Sequence, residues 1–162
     1  MNIFVTSPCP IESAQSLCDK HMKMCLESAQ MVCTVSWELG IPAPYKPSHR
    51  KHVCTIWAGR TRKNFEWLCL HGLEIAAQYT LRYGKEHSSE DVLSWAYTNV
   101  LPNVPKGRIT PFAQAMVTQY KHRCAITAYR TFYSSDKRYF ARWKFTSPPS
   151  WWDDPQYYRR LV

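Results

Sequence analysis

The sequence predicts an all-α protein, a single compact multi-helix domain with a short extended N-terminal segment and an irregular C-terminal tail. Apolar residues recur every three or four positions through long stretches without proline or glycine, a pattern typical of amphipathic helices. The 162 residues, 45% hydrophobic and 14% aromatic, suffice for one hydrophobic core and exclude general disorder. We expect one domain over 1–162, divided into a lead-in at 1–10, a helical core at 11–146 and an aromatic, basic tail at 147–162.

The N-terminal part is predicted to form an extended segment followed by one long helix. Residues 2–5 are expected to be extended, because two prolines follow them closely. An amphipathic helix is predicted from Ile11 to about Leu39, where Gly40 suits its C-terminal end. Its inward positions would be Ala14, Leu17, Cys18, Met22, Cys25, Ala29, Val32 and Cys33.

The rest of the chain is predicted to form shorter helices separated by loops. The loop at 41–48 holds three prolines, and the loop at 101–110 holds two prolines and a glycine. Gly84 suits the end of a long helix, and Thr110 followed by Pro111 suits the start of another. Helices are predicted at 52–58, at 62–83, from 89 to about 100, from 111 past 120, at 123–133 and at 136–144.

The seven cysteines favour free thiols in a reducing compartment. Their number is odd, no C-x-x-C pair occurs, and the first residues lack the pattern of a secretory signal. A zinc site made of Cys18, His21 and Cys25 has no evident fourth ligand, so no metal is expected. No window is apolar over the roughly 18 to 20 residues that span a membrane. We expect a cytoplasmic protein with no membrane partner.

The chain is basic, and its positive charge is concentrated in the C-terminal part. Lys+Arg 21 against Asp+Glu 12 gives a formal net charge of +9. Residues 1–99 are nearly balanced at +1, whereas residues 100–162 carry +8 and interleave cations with aromatic side chains. Such a surface favours binding of phosphate backbones and stacking on flipped bases. The alternatives are binding to anionic membranes and a charge that serves only solubility. We expect a nucleic acid as the partner.

Several familiar catalytic motifs are absent from the sequence. It contains no G-x-x-x-x-G-K-[ST], G-x-G-x-x-G, G-x-S-x-G or H-E-x-x-H. NTP hydrolysis, dinucleotide binding, serine-hydrolase chemistry and zinc proteolysis are therefore disfavoured. No cofactor is expected.

The densest group of chemically useful side chains lies in the predicted first helix. Lys20, Lys23 and Glu27 are spaced by three and four residues, which places them on one helix face, next to Asp19 and His21. A solvated face held by ordinary i,i+4 ion pairs is the structural alternative. As a site, a carboxylate beside an amine can stabilise a cationic intermediate, and an amine can attack an electrophilic sugar carbon.

The order of these residues resembles the phage pyrimidine-dimer DNA glycosylases of the endonuclease V type. That family has a short N-terminal segment, a helix with a D-x-H-[LM] motif and a glutamate about two turns later. The chain has Asp19-Lys20-His21-Met22 followed by Glu27. An aromatic, basic C-terminal tail is a second shared trait, seen here from Ser150 to Arg159. The resemblance covers about thirty residues at the N-terminus and about ten at the C-terminus.

The resemblance implies a chemistry in which an N-terminal amine attacks C1′ of the damaged nucleotide, forms an imine and leads to strand cleavage. Glu27 would supply the essential carboxylate, with His21 and nearby cations holding the phosphate and sugar. The partner that the resemblance implies is DNA, double-stranded with a flipped base. An α-amine is less basic than a lysine side chain, so more of it is neutral and nucleophilic near pH 7. Because Asn2 hinders removal of the initiator methionine, the amine would be that of Met1 or the side chain of Lys20, unless no imine forms. The catalytic candidates are Met1, Asp19, Lys20, His21 and Glu27.

Cations, aromatic side chains and amides spread over the chain are candidates for nucleic-acid binding. Trp57 could stack on a base while Asn64 reads its edge, although tryptophans of this kind more often belong to the core. Cations at helix ends can equally satisfy the helix dipole. The candidates are Asn2, Lys23, Arg50, His52, Trp57, Asn64, Arg82, Lys85, Arg108, Arg130, Arg138, Trp151 and Tyr157.

Three functions follow from these observations. The first is a DNA-repair-type N-glycosylase, with or without AP-lyase activity, acting on damaged or modified pyrimidines, in the host cytoplasm if the gene is a phage gene. The second is a base-modifying or nucleotide-processing enzyme of a phage. The third is a non-catalytic nucleic-acid or nucleotide-binding protein that acts against host defence.

Overall fold

The computed structural model describes residues 1–158, and residues 159–162, with Arg159 of the aromatic tail, lie outside the described part. Every regular element within the described part is helical, which confirms the prediction of an all-α fold. The described part also contains four short 3₁₀ segments, the longest at Asp19–Met24. The α-helices are α1 Pro10–Gln15, α2 Cys25–Glu38, α3 Val53–Arg60, α4 Arg62–Tyr83, α5 Glu90–Asn99 and α6 Ala125–Asp136.

Helix α4 is the central element, and α1, α2, α3 and α5 all pack against it. At Gly72 the neighbouring helices come so close that an added Cβ would lie 2.9 Å from Leu93 Cδ1 and 2.9 Å from Ser28 Cβ. Helix α4 ends at Gly84, whose φ of +68° is a left-handed conformation that glycine adopts without strain. This end agrees with the sequence prediction.

The prediction of one helix from Ile11 to Leu39 is wrong, because the segment is divided into α1, a 3₁₀ helix and α2. The buried guanidinium of Arg82 donates hydrogen bonds to the carbonyls of Gln15, at 3.2 Å, and Leu17, at 2.8 Å. A continuous helix would use both carbonyls for its own i→i+4 hydrogen bonds. The break therefore results from a tertiary contact with α4.

The predicted helix from 111 past 120 is also absent, apart from a 3₁₀ turn at Thr118–Tyr120. Side chains of other elements form hydrogen bonds with backbone groups of this segment, in place of the i→i+4 hydrogen bonds of a helix. The hydroxyl of Tyr129 accepts from the Ala115 amide at 3.1 Å and donates to the Ala113 carbonyl at 2.8 Å. The Asn2 side chain donates to the Ala115 carbonyl at 2.8 Å.

The predicted helix at 136–144 is replaced by turns, because this segment folds back onto the 3₁₀ helix at 19–24. The Asp19 amide donates to the Arg142 carbonyl at 3.0 Å, and the Lys144 amide donates to Asp19 Oδ2 at 2.7 Å. The tail that follows is irregular up to a 3₁₀ turn at Pro155–Tyr157, as predicted.

The cysteines and the helix lengths add two observations. All seven cysteines are free thiols, and five of them are buried. Within residues 1–158, no group of three or more His, Cys, Asp or Glu side chains is arranged to hold a metal ion. No helix in the same part of the chain has the length and apolar character needed to cross a membrane.

Candidate active site

A cleft lies where the N-terminal segment meets the 3₁₀ helix at 19–24, the start of α2 and the end of α6. Its volume is about 330 Å³. We call it the N-terminal cleft. It is lined by Met1, Asn2, Phe4, Lys20, His21, Lys23, Met24, Glu27, Lys137 and Phe140.

The carboxylate of Glu27, in the first turn of α2, holds the start of the chain. Its Oε2 atom lies 3.4 Å from the α-amine of Met1 and accepts a hydrogen bond of 2.9 Å from the Asn2 amide. The Glu27 side chain is 30% exposed, so the ion pair faces the cleft and is accessible from solvent. An amine and a carboxylate are thus placed side by side in one cleft.

A tight turn at Asn2 directs the amine towards Glu27. The Asn2 side-chain oxygen accepts from the amides of Ile3, at 2.8 Å, and Phe4, at 3.2 Å. Phe4 has a φ of +38°, a conformation that costs a non-glycine residue of order 1–3 kcal/mol. The buried ring of Phe4 stacks on His21 with centroids 4.5 Å apart, so packing offsets the backbone strain.

The Met1 side chain anchors the amine from the other side. It is 2% exposed, and its sulfur accepts a hydrogen bond of 3.6 Å from the Thr55 hydroxyl in α3. A buried side chain and an ion-paired amine leave the first residue little conformational freedom. The amine is therefore held in a defined position before any ligand binds.

His21 is buried in the wall of the same cleft and is fixed by Tyr133 of α6. The Tyr133 hydroxyl accepts from the Cys18 amide at 2.8 Å and lies 2.7 Å from His21 Nδ1. Burial lowers the pKa of His21 to about 3, and the charges of Lys137, Lys23 and Lys20 act in the same direction. Because the Tyr133 proton needs an acceptor, the neutral imidazole accepts at Nδ1 and carries its proton on Nε2.

Acidification is expected to destabilise the fold through His21 and His71, a fully buried histidine of α4 stacked on Trp67. Burial lowers the pKa of each to about 3. Below about pH 6.5 the unfolded chain takes up protons that the folded chain does not, so stability falls as pH falls. Each histidine should lower the free energy of unfolding by about 1.4 kcal/mol for every pH unit from pH 6.5 down to about pH 3. Urea unfolding at a series of pH values measures this decrease.

Two variants separate this effect from the titration of carboxylates. His71→Phe keeps a ring against Trp67 and should reduce the slope of unfolding free energy against pH by one histidine's share. His21→Gln removes the other buried imidazole and should reduce the slope by the other histidine's share. Equal slopes for wild type and His71→Phe would contradict the prediction.

Three lysines make the rim of the N-terminal cleft positive. Lys20 and Lys23 are exposed, and neither forms an ion pair within residues 1–158. The Lys20 ammonium lies 4.4 Å from the centroid of the Phe140 ring. Lys137 pairs with Asp136 at 2.7 Å and lies over the ring of Phe132. An anionic group entering the cleft would meet at least two uncompensated cations.

Asp19 is separated from the other catalytic candidates. Its carboxylate accepts from the Arg82 guanidinium at 3.1 Å and from the Lys144 amide at 2.7 Å. The side chain of Arg82 is fully buried, so this pair joins α4 to the 136–144 segment inside the protein. The structure thus gives Asp19 and Arg82 a structural role, and neither lines the N-terminal cleft.

Trp57 and Asn64, expected to handle a base, lie in the core. Trp57 is 3% exposed and packs edge-on against Trp67. Asn64 is fully buried, and its amide group donates to the Trp57 carbonyl and to Thr110, whose own amide donates back at 2.9 Å. No edge of the Asn64 amide is left for a base.

The cations and aromatic side chains of the C-terminal part bind one another. Arg130 donates to the Thr6 carbonyl at 2.9 Å and to the Tyr157 hydroxyl at 3.2 Å, and it lies over the Trp151 ring. Arg138 stacks on Trp152 and pairs with Asp153 at 2.7 Å. Trp151 and Tyr157 are buried, so these side chains hold the tail onto α6.

The remaining binding candidates lie away from the cleft or at its edge. Arg50 is exposed and pairs with Glu38, Lys85 is exposed over Tyr79, and Arg108 is exposed in the 101–110 loop. His52 caps α3, where its Nδ1 accepts from the Cys54 amide at 3.2 Å. Burial lowers the pKa of His52, and the charge of the N-terminal amine acts in the same direction.

Sequence reasoning missed five residues that shape the cleft. Phe4 and Met24 are apolar residues with no chemical signature, and Lys137 and Phe140 fall in a segment that was expected to be helical. Tyr133, which orients His21, is separated from it by 112 residues. The alternation of cations and aromatic side chains near 130–143 was the one signal that pointed to this region.

The fold and the cleft define an all-α protein with an amine and a carboxylate paired in a cationic site. Comparison of the chain with protein-family models, with curated proteins and with solved structures finds no match in any of the three.

Proposed function

We propose that this protein is a DNA N-glycosylase with AP-lyase activity that acts on damaged or modified pyrimidines in double-stranded DNA. The observation that carries the proposal is the placement of the Met1 α-amine 3.4 Å from the Glu27 carboxylate in a cleft with a positive rim. The sequence resemblance to pyrimidine-dimer glycosylases supports the same chemistry. The base would enter the cleft after flipping out of the duplex.

In the first step the neutral amine of Met1 forms a bond to C1′ of the target nucleotide. The glycosidic bond breaks, and the base leaves with the electron pair and takes up a proton. The Glu27 carboxylate stabilises the positive charge that develops on the sugar and the nitrogen, and it then accepts the proton that the nitrogen loses. Its hydrogen bond from the Asn2 amide keeps the carboxylate next to the amine.

In the second step Glu27 returns its proton to the ring oxygen, so that the sugar ring opens and a protonated imine joins the nitrogen to C1′. The regenerated Glu27 carboxylate then removes a proton from C2′, the electrons of that C–H bond form a C2′–C3′ double bond, and the C3′–O bond breaks as the phosphate leaves with its electron pair. Lys20 and Lys23 would bind the phosphates on either side of the target sugar. His21 stays neutral over the working pH range and, with its proton on Nε2, serves as a hydrogen-bond donor.

Processing of the N-terminus would preserve the arrangement. If Met1 were removed, the new amine would be the Asn2 nitrogen, which already lies 2.9 Å from Glu27 Oε2. The Lys20 side chain is a less suitable nucleophile, because its ammonium lies against the Phe140 ring. Intact-mass analysis of the purified protein identifies which residue carries the free amine.

Trapping with borohydride tests the proposal. The protein is incubated with a duplex that carries one abasic site, where the free aldehyde at C1′ reacts with an amine whichever base was lost. Borohydride should reduce the imine to a stable protein–DNA adduct, and peptide mapping should place the adduct on the first residue. An ultraviolet-irradiated duplex, compared with the same duplex unirradiated, then tests base removal.

Two variants identify the reacting amine. A short extension in front of Met1 moves the α-amine away from Glu27 and should abolish the adduct. Lys20→Arg keeps the charge but removes the lysine amine, and it should form the adduct as the wild type does. Absence of adduct and of strand cleavage on both duplexes would refute the proposal. Release of an unchanged nucleotide after denaturation would then favour the ligand-binding alternative.

A further inference from the structure

A second cavity lies beside the N-terminal cleft, on the far side of Lys20 and Phe140. Its volume is about 370 Å³. We call it the Phe145 groove. Besides Asp19 it is lined by Lys20, Tyr83, Phe140, Arg142, Lys144 and Phe145.

The Phe145 groove is positively charged and open to solvent. Lys20, Arg142 and Lys144 are exposed, and none of them forms an ion pair within the described chain. Arg142 uses one nitrogen on the carbonyls of Arg138 and Ala141, which leaves its charge uncompensated. The one carboxylate in the wall, Asp19, is directed inward to Arg82 and the Lys144 amide.

The aromatic side chains of the groove are exposed yet fixed. Phe145 is 55% exposed and Tyr83 is 41% exposed, with ring centroids 5.6 Å apart. The Tyr83 hydroxyl donates to the Asp19 carbonyl at 3.0 Å, which holds the ring in one orientation. Large aromatic side chains that stay exposed beside unpaired cations are typical of surfaces that stack bases of an unpaired strand.

Asp19 organises this surface. It accepts from the Lys144 amide, and its own amide donates to the Arg142 carbonyl, so both ends of the 142–144 segment are attached to it. The cations at 142 and 144 are thereby presented on one side of the 3₁₀ helix that also carries Lys20.

The two cavities share Lys20 and Phe140 as wall residues, so the groove lies directly next to the cleft. We propose that the Phe145 groove binds an unpaired segment of the DNA strand that enters the N-terminal cleft, with its phosphates on Lys20, Arg142 and Lys144 and its bases stacked on Phe145 and Tyr83. The choice of DNA as the ligand rests on the proposed function. The charge of the groove, its exposed rings and its position next to the cleft do not depend on that function.

Binding of two labelled oligomers of equal charge tests the proposal. One is a 12-nucleotide oligothymidylate, and the other has the same backbone with stable abasic residues throughout. Fluorescence anisotropy should show that the oligothymidylate binds on the order of ten-fold more tightly, since each stacked base adds affinity. Phe145→Ala should remove most of this difference while leaving the affinity for the abasic oligomer unchanged.

The cations are tested by the double variant Arg142→Gln/Lys144→Gln. It should weaken binding of both oligomers and reduce the slope of log affinity against log salt by about 1.4, at about 0.7 per phosphate contact on a single strand. Lys46→Gln/Lys106→Gln removes two exposed cations that line neither cavity and should bind as the wild type does. Circular dichroism confirms that each variant is folded.

The outcomes separate this proposal from the glycosylase proposal, because no chemistry occurs in the binding assay. Equal binding of the two oligomers, or equal loss in both double variants, overturns the groove and leaves the trapping result unaffected. Base-dependent binding that Phe145→Ala removes supports the groove even if no adduct is trapped.

Discussion

Glu27→Gln should lower the rate of adduct formation on the abasic duplex by about 10²- to 10⁴-fold, the range typical of a positioned acid–base group. The amide keeps a hydrogen-bond acceptor for the Asn2 amide but can neither take the proton from the Met1 amine nor stabilise a cationic intermediate. The measurement is single-turnover trapping with borohydride at excess protein.

The same variant separates catalysis from folding. Because the Glu27 side chain is 30% exposed and its ion pair is accessible to solvent, its loss should change the free energy of unfolding by about 1 kcal/mol or less. Affinity for DNA should stay within a few-fold of the wild type. A matched control is Glu38→Gln, an exposed carboxylate at the other end of α2, which should trap normally. Unfolding of Glu27→Gln would mean that the carboxylate is structural.

Asp19→Asn should destabilise the protein by about 3 to 5 kcal/mol, because it leaves the guanidinium of Arg82 buried without its counter-charge. Arg82→Gln should have an effect of similar size, since it also removes the donors to the Gln15 and Leu17 carbonyls. Urea unfolding at neutral pH measures both.

A double-mutant cycle tests whether the two residues act as a pair. The double variant Asp19→Asn/Arg82→Gln should be less destabilised than the sum of the single variants, because the second change removes the charge that the first leaves unpaired. Arg50→Gln, which breaks the exposed pair with Glu38, should cost about 1 kcal/mol or less. Additive effects of Asp19→Asn and Arg82→Gln would contradict the role assigned to the buried pair.

The sequence predicted the helices that local signals determine. Helix α4, with its apolar spacing and Gly84, was predicted with its bounds, because these signals lie within the helix itself. The division between α1 and α2 could not be predicted, since it depends on Arg82, which lies 65 residues from Leu17. The segments at 111–120 and 136–144 have helical patterns, but residues distant in the sequence form hydrogen bonds with their backbone groups instead.

In the candidate site, too, the sequence predicted what neighbouring residues determine. The cleft residues Glu27, His21 and Lys20 were predicted because they are close in the sequence and occur in the order that the resemblance requires. Asp19 belongs to the same motif, yet its carboxylate points to Arg82, a distinction that spacing alone does not contain. For Trp57 and Asn64 the sequence suggested a pair that binds a base. Both side chains are instead buried and pack in the core.

The contact between Tyr133 and His21 has a consequence for the timing of synthesis. Tyr133 is held in place by Trp151 and Trp152, which pack edge-on against its ring. A nascent chain that still lacks these tryptophans already contains its first residues, Glu27 and His21. Tyr133, which lies behind His21, is not yet held in place by Trp151 and Trp152. Contacts of such long sequence separation form late and slowly. We therefore expect the wall of the N-terminal cleft behind His21 to form only after Trp151 and Trp152 have been synthesised.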